Sequence, residues 1–514
     1  MISTLTRIGL RIALARSLRQ PVTLAPERGG RARDGAPRKQ CQCQVPYDTA
    51  GRTGYRPSSV SKQTRERPRV AIVGGGFGGL AAAKALKHAD AEVAIIDRDN
   101  HHLFQPLLYQ VATAALSPGN IAAPIRKIVR RQANCEVIMA SVTSVDLESQ
   151  TIYLEDEPYS YDYLVLATGA ETNYFGNEDW ANHAPGMKTI DEAINVRARF
   201  LLAFEQAELE QDADAQRAAL TFAIVGAGPT GVETAGALAE IVESVRKDFR
   251  HIDTTTSRII LLDYANRILL AFDPKLSAKA QKQLESLGVT VMLGARVTEV
   301  DDKGLTAETP DGEIRIDANN VIWAAGVKAT PIGGTLGVEL DRSGRVMVED
   351  DLTVPGHPNV FVVGDLAHRV DPKTGKPVPG VAQGALQMGH FAGKKIAEEL
   401  RAASIGVPPP SRGVFVYNDR GEMAIIGRNR AIAQIRKLRF SGYFAFLLWA
   451  FIHILFLIGF RRKLTVFTEW IWQYFFGTRG VRLITGRNRL PRPVKPPPDP
   501  RISRGRPALP AAPS

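Results

Sequence analysis

The sequence predicts an α/β protein with two similar parallel-sheet domains and a helical C-terminal segment. Two stretches about 150 residues apart each contain an apolar strand, a glycine-rich turn, an alanine-rich helix and a second strand. This alternation is typical of parallel sheets covered by helices. The third observation is the apolar stretch 440–460, which is bordered by basic residues and predicts helices that meet a membrane.

Composition excludes several classes of protein. A chain of 514 residues with three cysteines is no disulfide scaffold, and it lacks the ligands for a zinc or iron–sulfur framework. The net charge of +12 is concentrated at the ends: residues 1–67 have net charge +10 and residues 486–514 have +6. The intervening body has net charge −4, whereas a nucleic-acid-binding fold has a basic face on its body. We therefore expect no nucleic-acid partner.

The two basic ends are rich in Pro, Gly and Arg and are predicted to be disordered. The first 20 residues contain four Arg and no acidic residue, a pattern similar to an Arg-rich targeting presequence such as a mitochondrial one. An untargeted tail, or a misplaced translation start upstream of Val60 or Arg69, is the alternative.

The first glycine-rich turn has the spacing of a dinucleotide-binding loop. Gly74 suits the tight turn, Gly76 lets the backbone approach a pyrophosphate, and Gly79 lets the helix pack on the strand. Asp97 ends the following strand, 23 residues after Gly74, where it can accept hydrogen bonds from a ribose. The strand and helix around the motif favour nucleotide binding over a turn used only for packing.

The second turn repeats this arrangement at Gly226, Gly228 and Gly231, with Asp263 ending the next strand. Asp263 lies 37 residues after Gly226, farther than the 23 residues between Gly74 and Asp97, because a long helix and a polar loop intervene. An acidic residue there repels a 2′-phosphate and favours NADH over NADPH, a preference that two nearby arginines weaken. The sequence thus predicts a second Rossmann-like domain.

Two dinucleotide-binding domains imply two bound dinucleotides, most simply a flavin and a nicotinamide, with hydride passing from the nicotinamide to the flavin. A third segment, NVFVVGDLA, is a short strand that ends at Gly364 and Asp365. In flavoproteins with two dinucleotide domains, this placement puts an acid and helix-start amides beside the flavin ribityl chain and pyrophosphate. By itself the Gly-Asp pair is a common turn.

Several further motifs resemble one family. The segments NHHLFQPLLYQVA (100–112), GAGPTGVETAGALAE, WAAGV and PGVAQGALQMG together resemble bacterial type II NADH dehydrogenases. That family comprises single-subunit, FAD-dependent NADH:quinone oxidoreductases that do not pump protons. The resemblance extends over about 68–485 and leaves both basic ends outside it.

The resemblance implies that the NADH-binding domain is inserted into the FAD-binding domain. The expected divisions are 1–67 disordered basic extension, 68–190 first part of the FAD-binding domain, 191–320 NADH-binding domain, 321–412 second part of the FAD-binding domain with the quinone site, 413–485 C-terminal membrane-binding region, and 486–514 disordered Pro-rich tail.

The resemblance also implies the residues of each binding site. Non-covalently bound FAD is expected at Gly74, Gly76, Gly79, Asp97, Ala167, Thr168, Gly169, Gly364 and Asp365. NADH is expected at Gly226, Gly228, Gly231, Asp263, Ala325 and Gly326. Quinone is expected at Gln383 and Gln387, which are four residues apart and share a helix face.

Glu233 follows Gly231 in the first turn of its helix. The simpler interpretation is an acidic residue favoured by the helix dipole. Because an acid pointing at a pyrophosphate would oppose binding, we expect Glu233 to point along the cleft toward the reacting rings. The resemblance implies a catalytic role near the nicotinamide–quinone junction, in protonation.

Cysteine and metal chemistry are not expected. Cys135 is the only cysteine of the body, whereas disulfide reductases of this architecture need a cysteine pair beside the flavin and sulfide:quinone reductases also use cysteines there. Cys135 is predicted to be a small core residue. The pair His101 and His102 has no metal-binding companion motif, so no metal is predicted.

The apolar stretch 440–460 is long enough for a transmembrane helix. Its basic flanks and the aromatic residues after it also suit helices that lie in the membrane interface. The resemblance favours the second arrangement, on the cytoplasmic face of the inner membrane. A dimer helix in a soluble protein is a further alternative, and one set of helices could serve both a membrane and a homodimer.

The predicted function is FAD-dependent oxidation of NADH with reduction of a membrane quinone, without proton pumping, feeding a respiratory chain. One alternative is a reductase for another electron acceptor. Another is a redox sensor that binds flavin and NADH without turnover, which the paired glutamines and Glu233 disfavour.

Overall fold

The computed structural model describes residues 67–485, so the expectations for the basic extension and the Pro-rich tail lie outside the described residues. The helices are α1 Phe77–Ala85, α2 Leu108–Ala112, α3 Pro118–Ile121, α4 Ile125–Val129, α5 Ile190–Leu209, α6 Ala213–Ala219, α7 Pro229–Ser244, α8 Pro274–Glu285, α9 Ala382–Ser404, α10 Tyr443–Phe456 and α11 Phe460–Phe476.

The strands complete the element order. They are β1 Arg69–Val73, β2 Glu92–Asp97, β3 His101–Leu103, β4 Ala122–Pro124, β5 Cys135–Met139, β6 Val142–Asp146, β7 Thr151–Leu154, β8 Glu157–Ser160, β9 Tyr163–Leu166, β10 Ala170–Thr172, β11 Thr221–Val225, β12 Arg258–Asp263, β13 Val289–Leu293, β14 Arg296–Asp301, β15 Gly304–Thr309, β16 Gly312–Asp317, β17 Asn320–Trp323, β18 Val327–Ala329, β19 Val346–Met347, β20 Thr353–Val354, β21 His357–Val362, β22 Ala367–His368, β23 Glu422–Gly427, β24 Arg430–Ile435 and β25 Leu438–Ser441.

The larger sheet has six strands in the order β20-β21-β9-β1-β2-β5. All neighbours pair in parallel except β20 with β21. Strands such as β1 are apolar throughout because helices cover both faces of a parallel sheet. Four strands precede residue 167 and two follow residue 352, so this sheet is assembled from two separate parts of the chain.

The second sheet lies in sequence between those two parts. It has four parallel strands in the order β13-β12-β11-β17, and β11 is buried at every residue. A three-stranded antiparallel sheet, β14-β15-β16, is inserted before β17. This is the strand–turn–helix–strand unit that the second glycine motif predicted.

Helix α9 packs very closely on α1. A Cβ added to Gly389 would stand 2.0 Å from the carbonyl oxygen of Gly78, and one added to Gly393 would stand 2.5 Å from that of Ala82. Such contacts are available only to glycine, so the two helix backbones approach each other without intervening side chains. The start of α9 is thereby fixed against the first glycine-rich loop.

The C-terminal region consists of the antiparallel sheet β23-β24-β25 followed by α10 and α11. The apolar stretch 440–460 is not a single helix. It begins within β25, and α10 occupies fourteen of its residues. Gly442, which precedes α10, and Gly459, which precedes α11, both have positive φ angles. Within residues 67–485, no helix has the length and hydropathy needed to cross a bilayer.

Candidate functional site

The first glycine-rich loop joins β1 to α1 with the geometry of a dinucleotide site. Gly74 has φ +103°, and a Cβ on Gly79 would stand 1.8 Å from the Gly74 carbonyl oxygen. At Gly76, the N-cap of α1, a Cβ would meet nothing within 4 Å. The loop is therefore tight on its protein side and open toward the helix N-terminus, where a phosphate binds.

The second loop, between β11 and α7, repeats these values. Gly226 has φ +106°, and a Cβ on Gly231 would stand 1.8 Å from the Gly226 carbonyl oxygen. A Cβ on Gly228 would meet nothing within 4 Å. Both loops thus have the glycine arrangement that a pyrophosphate requires.

The two predicted ribose-binding carboxylates also occupy equivalent positions. Asp97 Oδ2 accepts a hydrogen bond of 2.5 Å from the backbone N–H of Gly75, and Asp263 Oδ2 accepts one of 2.5 Å from that of Ala227. Burial raises the pKa of Asp97 from its ordinary value. Each carboxylate therefore stabilises the backbone of its own glycine loop through this hydrogen bond, a role that the sequence spacing did not indicate.

A single cavity of about 1390 Å³ extends along the first loop toward α7, α9 and α10. The predicted site residues that line it are Gly74, Gly76, Asp97, Ala167, Thr168, Gly169, Gly326, Gly364, Asp365, Glu233 and Gln383. Those that do not are Gly79, Gly226, Gly228, Gly231, Asp263, Ala325 and Gln387. The predicted FAD residues other than Gly79, and two of the three predicted catalytic residues, are therefore gathered in one cavity.

The strand end at Gly364 and Asp365 faces this cavity. Gly364 has φ +73°, and Asp365 Oδ2 lies 4.0 Å from the Lys188 ammonium nitrogen. Lys188 also lines the cavity, and burial lowers its pKa. Sequence reasoning missed Lys188 because no motif surrounds it.

Glu233 lies where the cavity reaches α7. Its side chain is buried, with 9% of the residue exposed, and its Oε1 accepts a hydrogen bond of 3.3 Å from the backbone N–H of Ile425. Burial raises the pKa of Glu233 to about 8, although the Ile425 N–H and the indole of Trp449 partly oppose this. The carboxyl group is therefore largely protonated at neutral pH.

The two predicted quinone-site glutamines of α9 differ in their surroundings. Gln383 Nε2 donates a hydrogen bond to the Gly421 carbonyl oxygen at 3.0 Å, and its buried Oε1 has no partner among the described residues. Gln387 bonds the backbone of Asn418 twice, donating to its carbonyl oxygen at 3.0 Å and accepting from its N–H at 2.9 Å. Gln387 thus fastens the loop before β23, while Gln383 faces the cavity.

Sequence reasoning did not select His453 of α10, which also lines the cavity. Its Nδ1 donates to the Trp449 carbonyl oxygen at 2.7 Å, and its ring stacks on the Trp449 indole with centroids 4.3 Å apart. Burial lowers the pKa of His453 to about 4, so the imidazole is neutral. Its signal was hidden in an apolar stretch that predicted membrane contact.

The outer sides of α10 and α11 form an exposed apolar face. Its largest exposed side chains are Phe444, Phe451, Phe460, Phe467, Trp472, Phe475 and Phe476. Soluble monomers seldom expose so much contiguous aromatic surface, and such patches mark membrane or protein contacts.

The large cavity fits FAD. A Cβ on Gly76 or on Gly169 would point into open space, so both backbones leave room for a ligand. The orphaned Oε1 of Gln383 offers an acceptor farther along the same cavity. A cavity with a phosphate loop at one end and neutral polar groups at the other suits an elongated dinucleotide bearing an apolar ring.

Comparison with known proteins agrees with this geometry. Residues 68–389 match the family described as pyridine nucleotide-disulphide oxidoreductase, and residues 420–479 match the NDH2 C-terminal domain. The chain is 46% identical over 440 residues to the type II NADH:quinone oxidoreductase Ndh of Mycobacterium tuberculosis, covering 84% of this chain and 93% of that protein. A second protein of that organism, NdhA, is 46% identical over 82% of this chain and 90% of its own length.

Among solved structures, NDH2 from Plasmodium falciparum in complex with NADH has a TM-score of 0.72 at 20% identity and covers 81% of this chain and 99% of that one. The fold and its two glycine loops define a flavin-dependent pyridine-nucleotide oxidoreductase. Within that class, the chain belongs to the type II NADH:quinone oxidoreductases.

Family membership confirms the predicted activity and cofactors: an FAD-dependent enzyme that transfers electrons from NADH to a quinone without pumping protons. The NDH2 C-terminal domain and its exposed apolar face indicate peripheral association with a membrane.

Proposed function

We propose that the large cavity holds FAD along its length. NADH would donate its electrons at one end of the cavity, and quinone would bind at the other end. The observation that supports this is the convergence on one cavity of the first glycine loop, Glu233, Gln383 and His453. When bound, FAD supplies the acceptor that takes hydride from NADH and returns two electrons to the quinone.

The chain's own groups would hold the cofactor at three points. The backbone N–H groups at the start of α1, beginning after Gly76, would bind the pyrophosphate. Asp97 would accept hydrogen bonds from the ribose with the lone pairs that its loop contacts leave free. Gly169 and Asp365 would border the ribityl chain, with Lys188 balancing the charge of Asp365.

NADH would bind at the second loop by the same means. The N-terminus of α7 would receive its pyrophosphate near Gly228, and Asp263 would face the ribose. The carboxylate of Asp263 would repel a 2′-phosphate, so NADH is preferred over NADPH. Ala325 and Gly326 follow β17 at the carboxyl edge of this sheet, where the nicotinamide would lie.

Quinone would bind between α9 and α10. This end of the cavity presents neutral groups, with an amide at Gln383 and an uncharged imidazole at His453, which suit an uncharged ring with carbonyl oxygens. Glu233, protonated at neutral pH, would supply a proton to the reduced ring. Gln387 would position the site by holding the loop at Asn418.

We further propose that the protein lies on the cytoplasmic face of the inner membrane as a homodimer. NADH is polar and quinone is lipid-soluble, so the quinone end should meet the bilayer while the second glycine loop meets water. The apolar face of α10 and α11 borders the quinone end, because His453 lies on the same helix as exposed Phe451. Part of that large aromatic surface would remain for a second copy.

A single assay tests the activity: purified FAD-loaded protein is mixed with NADH and ubiquinone-1, and absorbance of the nicotinamide band is followed. We expect rapid oxidation that requires the quinone. Absence of oxidation despite bound FAD would favour a redox sensor. Oxidation by ferricyanide but not by any quinone would favour a reductase for another acceptor.

A further inference from the structure

Lys188 places a positive charge inside the large cavity. Among the described residues, Arg98 and Lys188 are the only Lys or Arg residues that line this cavity. The Arg98 side chain is 66% exposed, whereas that of Lys188 is only 21% exposed. Apart from histidines, the other titratable side chains of the wall are nearly all carboxyl groups. Lys188 is therefore the main source of positive side-chain charge in the interior of the cavity.

The ammonium group of Lys188 is held beside the first turn of α9. It lies 4.0 Å from Asp365 Oδ2, and Asp365 Oδ1 would lie 3.3 Å from a Cβ added to Gly380. Gly380 directly precedes Val381, the N-cap of α9, which provides no side-chain hydrogen bond to the helix. The free N–H groups of α9 therefore add partial positive charge at the same place, close to Gln383 in the first turn.

The backbone that carries Lys188 is fixed by the start of α5. Thr189 is the N-cap of α5 and forms a capping box with Glu192. The backbone N–H of Lys188 donates to the same carboxylate, Glu192 Oε2, at 2.7 Å. Burial lowers the pKa of Lys188, while the carboxylates of Asp365 and Glu192 oppose this shift. The ammonium group is thus a preorganised charge that is in place before a ligand enters.

Oxidation of NADH changes the charge inside the cavity. NADH gives up hydride, which carries two electrons and one proton, and leaves as NAD⁺. The contents of the cavity therefore gain one negative charge at this step, before a quinone removes the electrons. In a wall whose other charged side chains are mostly carboxylates, that gain is unfavourable unless a fixed cation compensates it.

We propose that Lys188 raises the reduction potential of the bound flavin by compensating the negative charge that hydride brings into the cavity. This inference rests on the proposed FAD site. Before reduction, the pair of Lys188 and Asp365 has no net charge. Loss of the ammonium group would leave the Asp365 carboxylate unbalanced beside the cofactor, and both changes would oppose the added charge.

The test is the midpoint potential of the bound flavin in Lys188→Met, which replaces the ammonium group with an uncharged side chain of similar length. The full-length, FAD-loaded protein is reduced by xanthine and xanthine oxidase in the presence of a reference dye, so neither NADH nor quinone is involved. We expect the equilibrium constant for two-electron reduction to fall at least about tenfold, which is about 30 mV toward negative potential. Reduced FAD should lose affinity relative to oxidised FAD by the same factor.

Further variants separate the effect of charge from that of structure. Lys188→Arg retains the cation and should keep the potential near that of wild type. Lys395→Met is the matched control, because the Lys395 side chain is 16% exposed and pairs with Glu398 at 2.9 Å but does not line the cavity. Its potential should equal that of wild type. If Lys188→Met loses FAD during purification, Lys188→Gln, which can still donate a hydrogen bond to Asp365, takes its place.

An unchanged potential in Lys188→Met would overturn the proposal. An equal fall in Lys188→Arg or in Lys395→Met would do so as well, because the shift would then not depend on the charge at Lys188. Wild-type protein that binds no FAD when incubated with it would instead overturn the proposed function. The two failures are distinguishable, since the potential is measured only on protein that holds FAD.

Discussion

The carboxyl group of Glu233 accepts a hydrogen bond from the backbone N–H of Ile425, 192 residues farther along the chain. The first turn of the second nucleotide-binding helix is thereby joined directly to the C-terminal domain. Burial at this junction raises the pKa of Glu233 to about 8, so the carboxyl group is largely protonated at neutral pH.

Replacing Glu233 with Gln should slow quinone reduction by roughly 10²-fold or more, the usual contribution of a general acid. Bound FAD and the rate of flavin reduction by NADH should remain near wild type, since Gln preserves the shape. Stopped-flow measurement of the two half-reactions separates these effects. Equal rates of quinol formation in both proteins would exclude Glu233 as the donor.

The same group should make stability depend on pH. Because the pKa of Glu233 is raised on folding from 4.5 to about 8, the folded state binds more protons than the unfolded state between these values, and stability falls as pH rises through this window. Across this window the free energy of unfolding falls by a few kcal/mol, at about 1.4 kcal/mol for each unit of pKa shift. Urea unfolding at pH 5 and pH 8 should show a smaller decline in Glu233→Gln than in wild type.

The two faces of the first glycine loop can be tested separately. Gly79→Ala brings a Cβ within 1.8 Å of the Gly74 carbonyl oxygen. It should lower the free energy of unfolding by about 1–3 kcal/mol and also reduce the amount of bound FAD. Gly76→Ala introduces no such clash and should lower FAD affinity without destabilising the apoprotein. Thermal unfolding and flavin content measure both. A stable Gly79→Ala protein with full FAD would contradict the loop's assigned geometry.

Asp263→Asn should reduce the preference for NADH over NADPH. The amide oxygen can still accept a hydrogen bond from the backbone N–H of Ala227, while the charge that opposes a 2′-phosphate is removed. Comparing kcat/KM for both nucleotides checks this. The corresponding change at the first loop, Asp97→Asn, should leave the nucleotide preference unaltered.

Phe475→Asp should weaken membrane association. Removing one large apolar side chain from the exposed face and adding a charge should lower vesicle binding about tenfold or more. Tyr264→Asp is the matched control, because Tyr264 is an equally exposed aromatic residue outside the C-terminal helices. Sedimentation with anionic lipid vesicles measures both, and equal losses would show that the apolar face is not the membrane contact.

The glycine loops and their sheets could be predicted because residues adjacent in sequence determine their conformation. Gly74, Gly79 and the strand before them specify one turn whatever the rest of the chain does. The environment of Gln387 could not be predicted, since its helical spacing from Gln383 places both on one face but does not reveal that Asn418 packs against one of them. That contact depends on a loop 31 residues away.

His453 and Lys188 show a second limit. An apolar periodicity does not distinguish a helix side that faces a bilayer from one that faces an internal cavity. The sequence pattern therefore predicts membrane contact for the whole stretch and does not single out His453 as a residue of the cavity. The apolar stretch is interrupted at two glycines with positive φ angles, Gly442 immediately before α10 and Gly459 immediately before α11. Lys188 is set beside Asp365 only by the tertiary fold.

The close packing of α1 against α9 has a consequence for biosynthesis. The two helices are separated by almost 300 residues, and β21, which completes the larger sheet, is also made late. At 5–20 residues per second, about 15 to 60 s pass between synthesis of the first glycine loop and of its helical partner. The inserted domain has time to fold on the ribosome before the flavin domain around it can close, and the long-range contacts that close it should set the rate of maturation.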